Sequence, residues 1–128
     1  MAKHLEIGKR GEDIACKYLS TKKYRILKRN YREKFDEIDV IARSFDGILV
    51  FCEVKTLNTL VGSEYGMMPE DNLTKDKLRK IIRACTLFSA KHPELVNEEK
   101  GWRLDLVAIV LDEDKIVRIS HYENINST

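Results

Sequence analysis

Two short apolar runs, 38–42 and 48–54, flank the sequence Ser44-Phe45-Asp46-Gly47. Runs of that length, rich in Ile and Val, read as β-strands, and Asp-Gly is a strong turn signal, so a β-hairpin is expected. Loop length decides which side chains share a face. A two-residue loop at Asp46-Gly47 sets Asp39 opposite Val54 and leaves Glu53 on the other face. A three-residue loop, Phe45-Asp46-Gly47 with Gly47 left-handed in a bulge, sets Asp39 opposite Glu53. The apolar pattern favours the second register. It places Ile38, Val40 and Ala42 on one face with Ile48, Val50, Cys52 and Val54, and Glu37, Asp39, Glu53 and Lys55 on the other.

Carboxylates inside such runs are costly unless they are paired, hydrogen-bonded or bound to a metal. Like charges directly opposite each other also destabilise a sheet. Something positive is therefore expected to bridge Asp39 and Glu53. Perturbed carboxylates concentrate at functional sites, and a metal role is favoured here over a salt bridge. Phosphodiester hydrolysis needs an attacking water, neutralisation of transition-state charge and help for the leaving oxygen, all of which Mg²⁺ can serve. Mg²⁺ keeps several waters, so Asp39, Glu53 and the carbonyl of Val54 suffice as protein ligands. Lys55, one pleat beyond Glu53, is placed to orient water or to stabilise developing negative charge. Glu12, on the first helix, could reach the same site through a water.

At 128 residues, 43% of them hydrophobic and 34% charged, residues 1–128 are expected to form one domain around a single core. The net charge of +2 gives no global field. The basic residues do cluster, first as Lys22, Lys23, Arg25, Lys28, Arg29, Arg32 and Lys34, then as Lys75, Lys77, Arg79, Lys80 and Arg83. Lys77 and Arg79 are the expected phosphate contacts. Cys16, Cys52 and Cys85 are far apart and set in apolar patterns, which reads as buried, reduced thiols. The charged N-terminus lacks a signal-like apolar region and no stretch is long enough to span a membrane, so a cytoplasmic location is expected.

Periodicity predicts a helix over 5–21, strands over 24–31, 37–43 and 48–55, a loop over 57–72, and an amphipathic helix over 73–90. Thr74 is its expected N-cap and His92-Pro93 its stop. A nearly continuous apolar strand over 102–111, broken by Arg103 and Asp105, precedes an edge strand over 115–122. Asp105 with Arg103 reads as support for the fold, and the scattered His4, His92 and His121 as surface or turn residues.

Asp39 followed by Glu53-Val54-Lys55 resembles the PD-(D/E)XK nuclease signature. With Gly8-Lys9-Arg10-Gly11-Glu12-Asp13-Ile14-Ala15, Asp36-Glu37-Ile38-Asp39-Val40-Ile41-Ala42, Phe51-Cys52-Glu53-Val54-Lys55-Thr56 and Arg103-Leu104-Asp105-Leu106-Val107, the chain resembles the YraN-like endonuclease family, related to archaeal Holliday junction resolvases. Asp36 and Leu78 depart from the glycine and glutamine that many relatives carry there. The resemblance implies an α/β restriction-endonuclease-like core, a mixed sheet of about five strands flanked by helices. It also implies catalytic roles for Glu12, Asp39, Glu53 and Lys55, with Mg²⁺ as cofactor and Mn²⁺ as a substitute. The expected substrate is DNA rather than RNA, branched and single-stranded forms included, and a homodimer would let two sites cut opposed strands. The alternative is a non-catalytic nucleic-acid-binding module in a repair or recombination assembly.

Overall fold

The computed structural model describes residues 2–34, 36–59 and 73–126. Helix α1 (Ala2–Thr21) leads into β1 (Arg25–Glu33), β2 (Asp36–Arg43) and β3 (Leu49–Asn58). Helix α2 (Lys75–Lys91) follows, with a single 3-10 turn (Pro93–Leu95), β4 (Trp102–Asp112) and β5 (Lys115–Tyr122). The strands form one mixed sheet in the order β1-β2-β3-β4-β5, antiparallel throughout except for the parallel pair β3 and β4. That pair is joined through α2, as a parallel connection requires. The result is the expected α/β architecture, consistent with a restriction-endonuclease-like core. No helix among the described residues is long and apolar enough to cross a membrane.

One helix covers each face of the sheet. Ala15, Cys16 and Leu19 of α1 pack on Val40, Ala42, Val50, Cys52, Val107 and Ile109. On the other face Ile81, Ala84, Cys85 and Phe88 of α2 pack on Ile38, Ile41, Leu49, Phe51 and Leu104. Phe88 meets Tyr31 and Phe51 edge-on, at centroid distances of 5.0 and 5.6 Å. With both faces covered, β3 and β4 are buried on both sides, which is why their sequences read as nearly continuous apolar runs. All three cysteines are free and buried, and burial pushes their thiols above the ordinary range.

The hairpin takes the three-residue loop. Ser44 and Ile48 close it, with the Ser44 amide donating to the Ile48 carbonyl at 2.9 Å, and Gly47 is left-handed at φ +86°. Thr74 caps α2 by accepting from the Lys77 amide, and His92 ends it. Three expectations need correction. Ile38 packs on the α2 face, not with Val40 and Ala42. Its cross-strand partner Tyr31, which follows the left-handed Asn30 (φ +52°), packs against the same α2-side core, so Ile38 gains its burial there. Strand β3 runs to Asn58, beyond the expected end, because β4 stays beside it as far as Leu111; positions 60–72 of the expected loop, Tyr65 and Gly66 included, lie outside the described residues. His121 is not a surface residue. Its Nε2 lies 2.8 Å from Asp105 and its Nδ1 3.0 Å from the Tyr18 hydroxyl.

Asp105 is fully buried and, as expected, supports the fold. Burial alone would raise its carboxyl, but His121, Arg103 and the Asn124 amide all donate to it and hold it below the usual carboxylate range. A depressed carboxyl stabilises the fold above its unfolded-state value and loses that contribution as pH falls through its folded-state value. Acid unfolding, followed by circular dichroism below about pH 4, should therefore take up roughly one proton fewer in Asp105→Asn. An unchanged acid limb would contradict this.

Helix α1 lies so close to β3 that a Cβ on Gly11 would stand 1.8 Å from Thr56 Oγ1 and 2.9 Å from Thr56 Cβ. Rotating Thr56 relieves only the first contact. Alanine normally stabilises a helix interior by roughly 0.5–1 kcal/mol over glycine. Here Gly11→Ala should instead cost about 1–3 kcal/mol in thermal unfolding, and adding Thr56→Gly should recover much of the loss. A more stable Gly11→Ala protein would refute the close contact.

Candidate active site

The ladder between β2 and β3 runs from Arg43–Leu49 to Val40–Cys52 and stops there. Continued by one step it would pair Asp39 with Glu53. Instead the strands part, because β3 follows β4 to Asn58 while β2 stays with β1 down to Asp36. The Val54 amide donates to Asp39 Oδ2 at 2.8 Å across the gap. Asp39 also shares a side-chain hydrogen bond with Glu53. Lys55 Nζ lies 3.3 Å from Glu53 Oε2, and the side chains of Lys55 and Glu53 are only 23% and 12% exposed.

These surroundings push the Asp39 carboxyl up to about 8. Burial is the largest cause and the Glu53 charge the next; the Val54 amide pulls the other way, while the bond shared with Glu53 and the charge of Glu37 raise it further. Without a cation, the Asp39 carboxyl thus favours its protonated form at neutral pH.

Glu12 reaches the same region from α1, carried by the helix turn that Gly11 docks onto β3. Burial and the charge of Asp39 raise its carboxyl, while a hydrogen bond with Asn30 and the Arg29 guanidinium at 3.7 Å pull it down. Asn30 was not singled out by pattern. The one available signal was residue type: Asn is disfavoured in mid-strand and tolerates the left-handed region.

An open depression of about 250 Å³ fronts the gap, lined by Asp36, Glu37, Asp39, Glu53, Lys77 and Lys80, with Ile81 at one side. Lys77 thus stands beside the carboxylates. Arg79 does not line the depression; it pairs with Asp76 on the exposed side of α2. Lys80, one turn on from Lys77, was missed because a single helical position in a basic run carries no signal of its own. Asp36 is engaged by Arg83 through Nε and Nη2 at 3.0 and 2.7 Å, and Glu37 faces Arg32 at 3.6 Å.

Among the described residues no three His, Cys, Asp or Glu side chains converge as a metal cluster. The donors at the gap are two hard carboxylates in contact and the Val54 backbone. An extended residue directs its N–H and C=O to the same neighbouring strand, so the Val54 carbonyl faces the β2 side along with its amide. That set fits Mg²⁺, which takes few protein oxygens and keeps its waters, and a divalent cation would relieve the Asp39–Glu53 repulsion.

A model of the uncharacterised protein family UPF0102 matches residues 11–109. A UPF0102 protein of Chloroherpeton thalassium is 39% identical over 115 residues, covering 90% of this chain and 83% of that protein. One from Flavobacterium johnsoniae is 37% identical over 109 residues, 85% of each chain. One from Campylobacter lari is 36% identical over 115 residues, 90% of this chain and 93% of that protein. The matched span takes in Glu12, Asp39, Glu53, Lys55 and Lys77, and the chain belongs to the UPF0102 family, the YraN family whose pattern its sequence resembles.

Proposed function

We propose that this protein is a metal-dependent endonuclease that hydrolyses phosphodiester bonds in DNA, branched or single-stranded forms included. The observation that carries the reading is the contact of Asp39 with Glu53 in the gap between β2 and β3. Two carboxylates held together without a cation between them are costly, and the fold spends both strands on keeping them there. Mg²⁺ or Mn²⁺ at this position would polarise the scissile phosphate and lower the pKa of a bound water.

The chain's own groups divide the remaining work. Asp39 and Glu53, with the Val54 carbonyl, hold the cation. Glu12 accepts a hydrogen bond from a water on the α1 side. The Lys55 ammonium, fixed beside Glu53, stabilises negative charge gathering on the phosphoryl oxygens. Lys77 and Lys80 at the rim meet phosphates flanking the bond to be cut, and Arg79 contributes from the outer side of α2. The rival reading is a non-catalytic nucleic-acid-binding module, in which Lys55 simply neutralises Glu53 as a structural charge pair.

Calorimetry should detect Mg²⁺ and Mn²⁺ binding to the wild-type chain and none to Asp39→Asn or Glu53→Gln. Cleavage of nicked, flapped, single-stranded and four-way DNA should fall by at least about a hundredfold in Asp39→Asn, with DNA binding retained. If the wild type takes up no metal even with DNA present, the module reading wins.

The raised Asp39 carboxyl has a stability consequence with a definite sign. A group whose folded-state pKa is raised favours the fold at low pH and loses that contribution as pH rises through the folded value. Metal-free wild type should therefore lose stability, relative to Asp39→Asn, from about pH 4 up to about 8. In EDTA at neutral pH, Asp39→Asn should melt higher than wild type, and added Mg²⁺ should stabilise only the wild type. A lower melting temperature for Asp39→Asn in EDTA would show that the carboxyl is satisfied without a cation.

A further inference from the structure

The opposite end of the β2–β3 hairpin gathers cations that no carboxylate among the described residues answers. Arg25 and Arg43 are direct cross-strand partners on β1 and β2, both exposed. Such a like-charge pair destabilises a sheet unless an anion lies near it. Neither makes an ion pair with a described residue. Two other arginines of the same strand are neutralised, Arg29 by Asp13 at 2.7 Å and Arg32 by Glu37 at 3.6 Å, while Lys28 has no carboxylate partner among the described residues. Asp46, the acid nearest in the turn, is already taken by Lys100 at 3.2 Å and by the Ser44 hydroxyl.

Beside this pair stands Phe45, 78% exposed, with the Lys23 ammonium 5.6 Å from its ring centroid. The turn has no need of that ring. Ser44, Asp46 and left-handed Gly47 supply its hydrogen bonds and its backbone conformation, and an exposed phenyl gains nothing from burial. A flat apolar ring set among guanidinium and ammonium groups is the pairing that stacks a base and holds the phosphates on either side of it.

We propose that this end of the hairpin is a second nucleic-acid contact: a base of a single-stranded segment stacks on Phe45 while Arg25, Arg43 and Lys23 hold the adjoining phosphates. The proposal rests on the nucleic-acid part of the function proposed above and not on catalysis. An acidic peptide could satisfy the arginines but offers no recurring planar group to cover the ring.

The test is fluorescence anisotropy of a labelled single-stranded oligonucleotide in EDTA, comparing wild type with Phe45→Ala, Phe45→Trp and the double variant Arg25→Gln/Arg43→Gln. All the patch positions are exposed, so these chains should fold. Phe45→Ala should weaken binding roughly tenfold, and Phe45→Trp should keep it. The arginine variant should lower affinity and reduce the salt slope by roughly 1 to 2. Wild-type affinity in both Phe45→Ala and the arginine variant overturns the proposal and leaves the active-site reading intact. Loss in the arginine variant alone, matched by equal loss of heparin binding, also overturns it, since the surface would then be a general polyanion contact. Patch-dependent binding in a protein that neither takes up metal nor cleaves DNA sustains the proposal and defeats the endonuclease reading. Absence of binding by the wild type defeats both.

Discussion

The register of the β2–β3 hairpin is the constraint on which the rest depends. It is set by a turn in which Ser44 closes against Ile48 and Gly47 takes a left-handed conformation that its neighbours would adopt only under strain. Because side chains alternate with a period of two, one residue of slip would send Glu53 into the α1-side core, among Val50, Cys52 and Val107. The same slip would bring apolar groups to the α2 side beside Asp39. Carboxylate contact, two-sided burial of β3 and the position of Lys55 are thus consequences of one loop length. That dependence gives the turn more influence on the site than its distance from it suggests.

Two acids near the sheet centre, the fully buried Asp105 and the half-buried Asp39, are treated in opposite ways. Asp105 has donors on both oxygens, from Arg103, His121 and the Asn124 amide, and is held below the ordinary carboxylate range. Asp39 has the Val54 amide and otherwise faces acids: Glu53 in contact, Glu37 and Glu12 nearby. Satisfaction is the rule for buried polar groups, so an exception calls for an explanation. This one fold shows that it can satisfy an acid fully, so the shortage at Asp39 is not a general failing of a small core. The cation proposed above would answer the shortage, and the open depression in front of the gap would give it a route.

Much of this was legible because it rests on local signals. Strand runs around Asp-Gly gave the hairpin and its register, and capping by Thr74 with a stop at His92-Pro93 gave α2 within two residues. The spacing of Asp39, Glu53 and Lys55 could be read because the strand period ties sequence distance to a face. What escaped depends on long-range contact. His121 joins Asp105 and Tyr18 across separations of 16 and 103 residues, which periodicity cannot see. Ile38 joins the α2-side core with its cross-strand partner Tyr31, a packing that alternation along β2 alone cannot show. Lys80 and Arg79 both pair with Asp76, and only the docking of α2 puts Lys80 on the depression and Arg79 off it.

The hairpin also links the two surfaces proposed to meet nucleic acid. Arg43 and Asp39 lie four residues apart on β2, about 14 Å at the rise of an antiparallel strand. A single strand spans that distance in a few nucleotides, so one substrate could touch Phe45 and the carboxylate gap together. Contacts remote from the reacting bond can contribute to its cleavage when they position the substrate or offset the cost of distorting it. A rigid two-stranded element is a better ruler for this than a loop, because its register fixes both ends at once. On this view, the turn that brings Asp39 to Glu53 also sets how far from the gap the strand must be gripped.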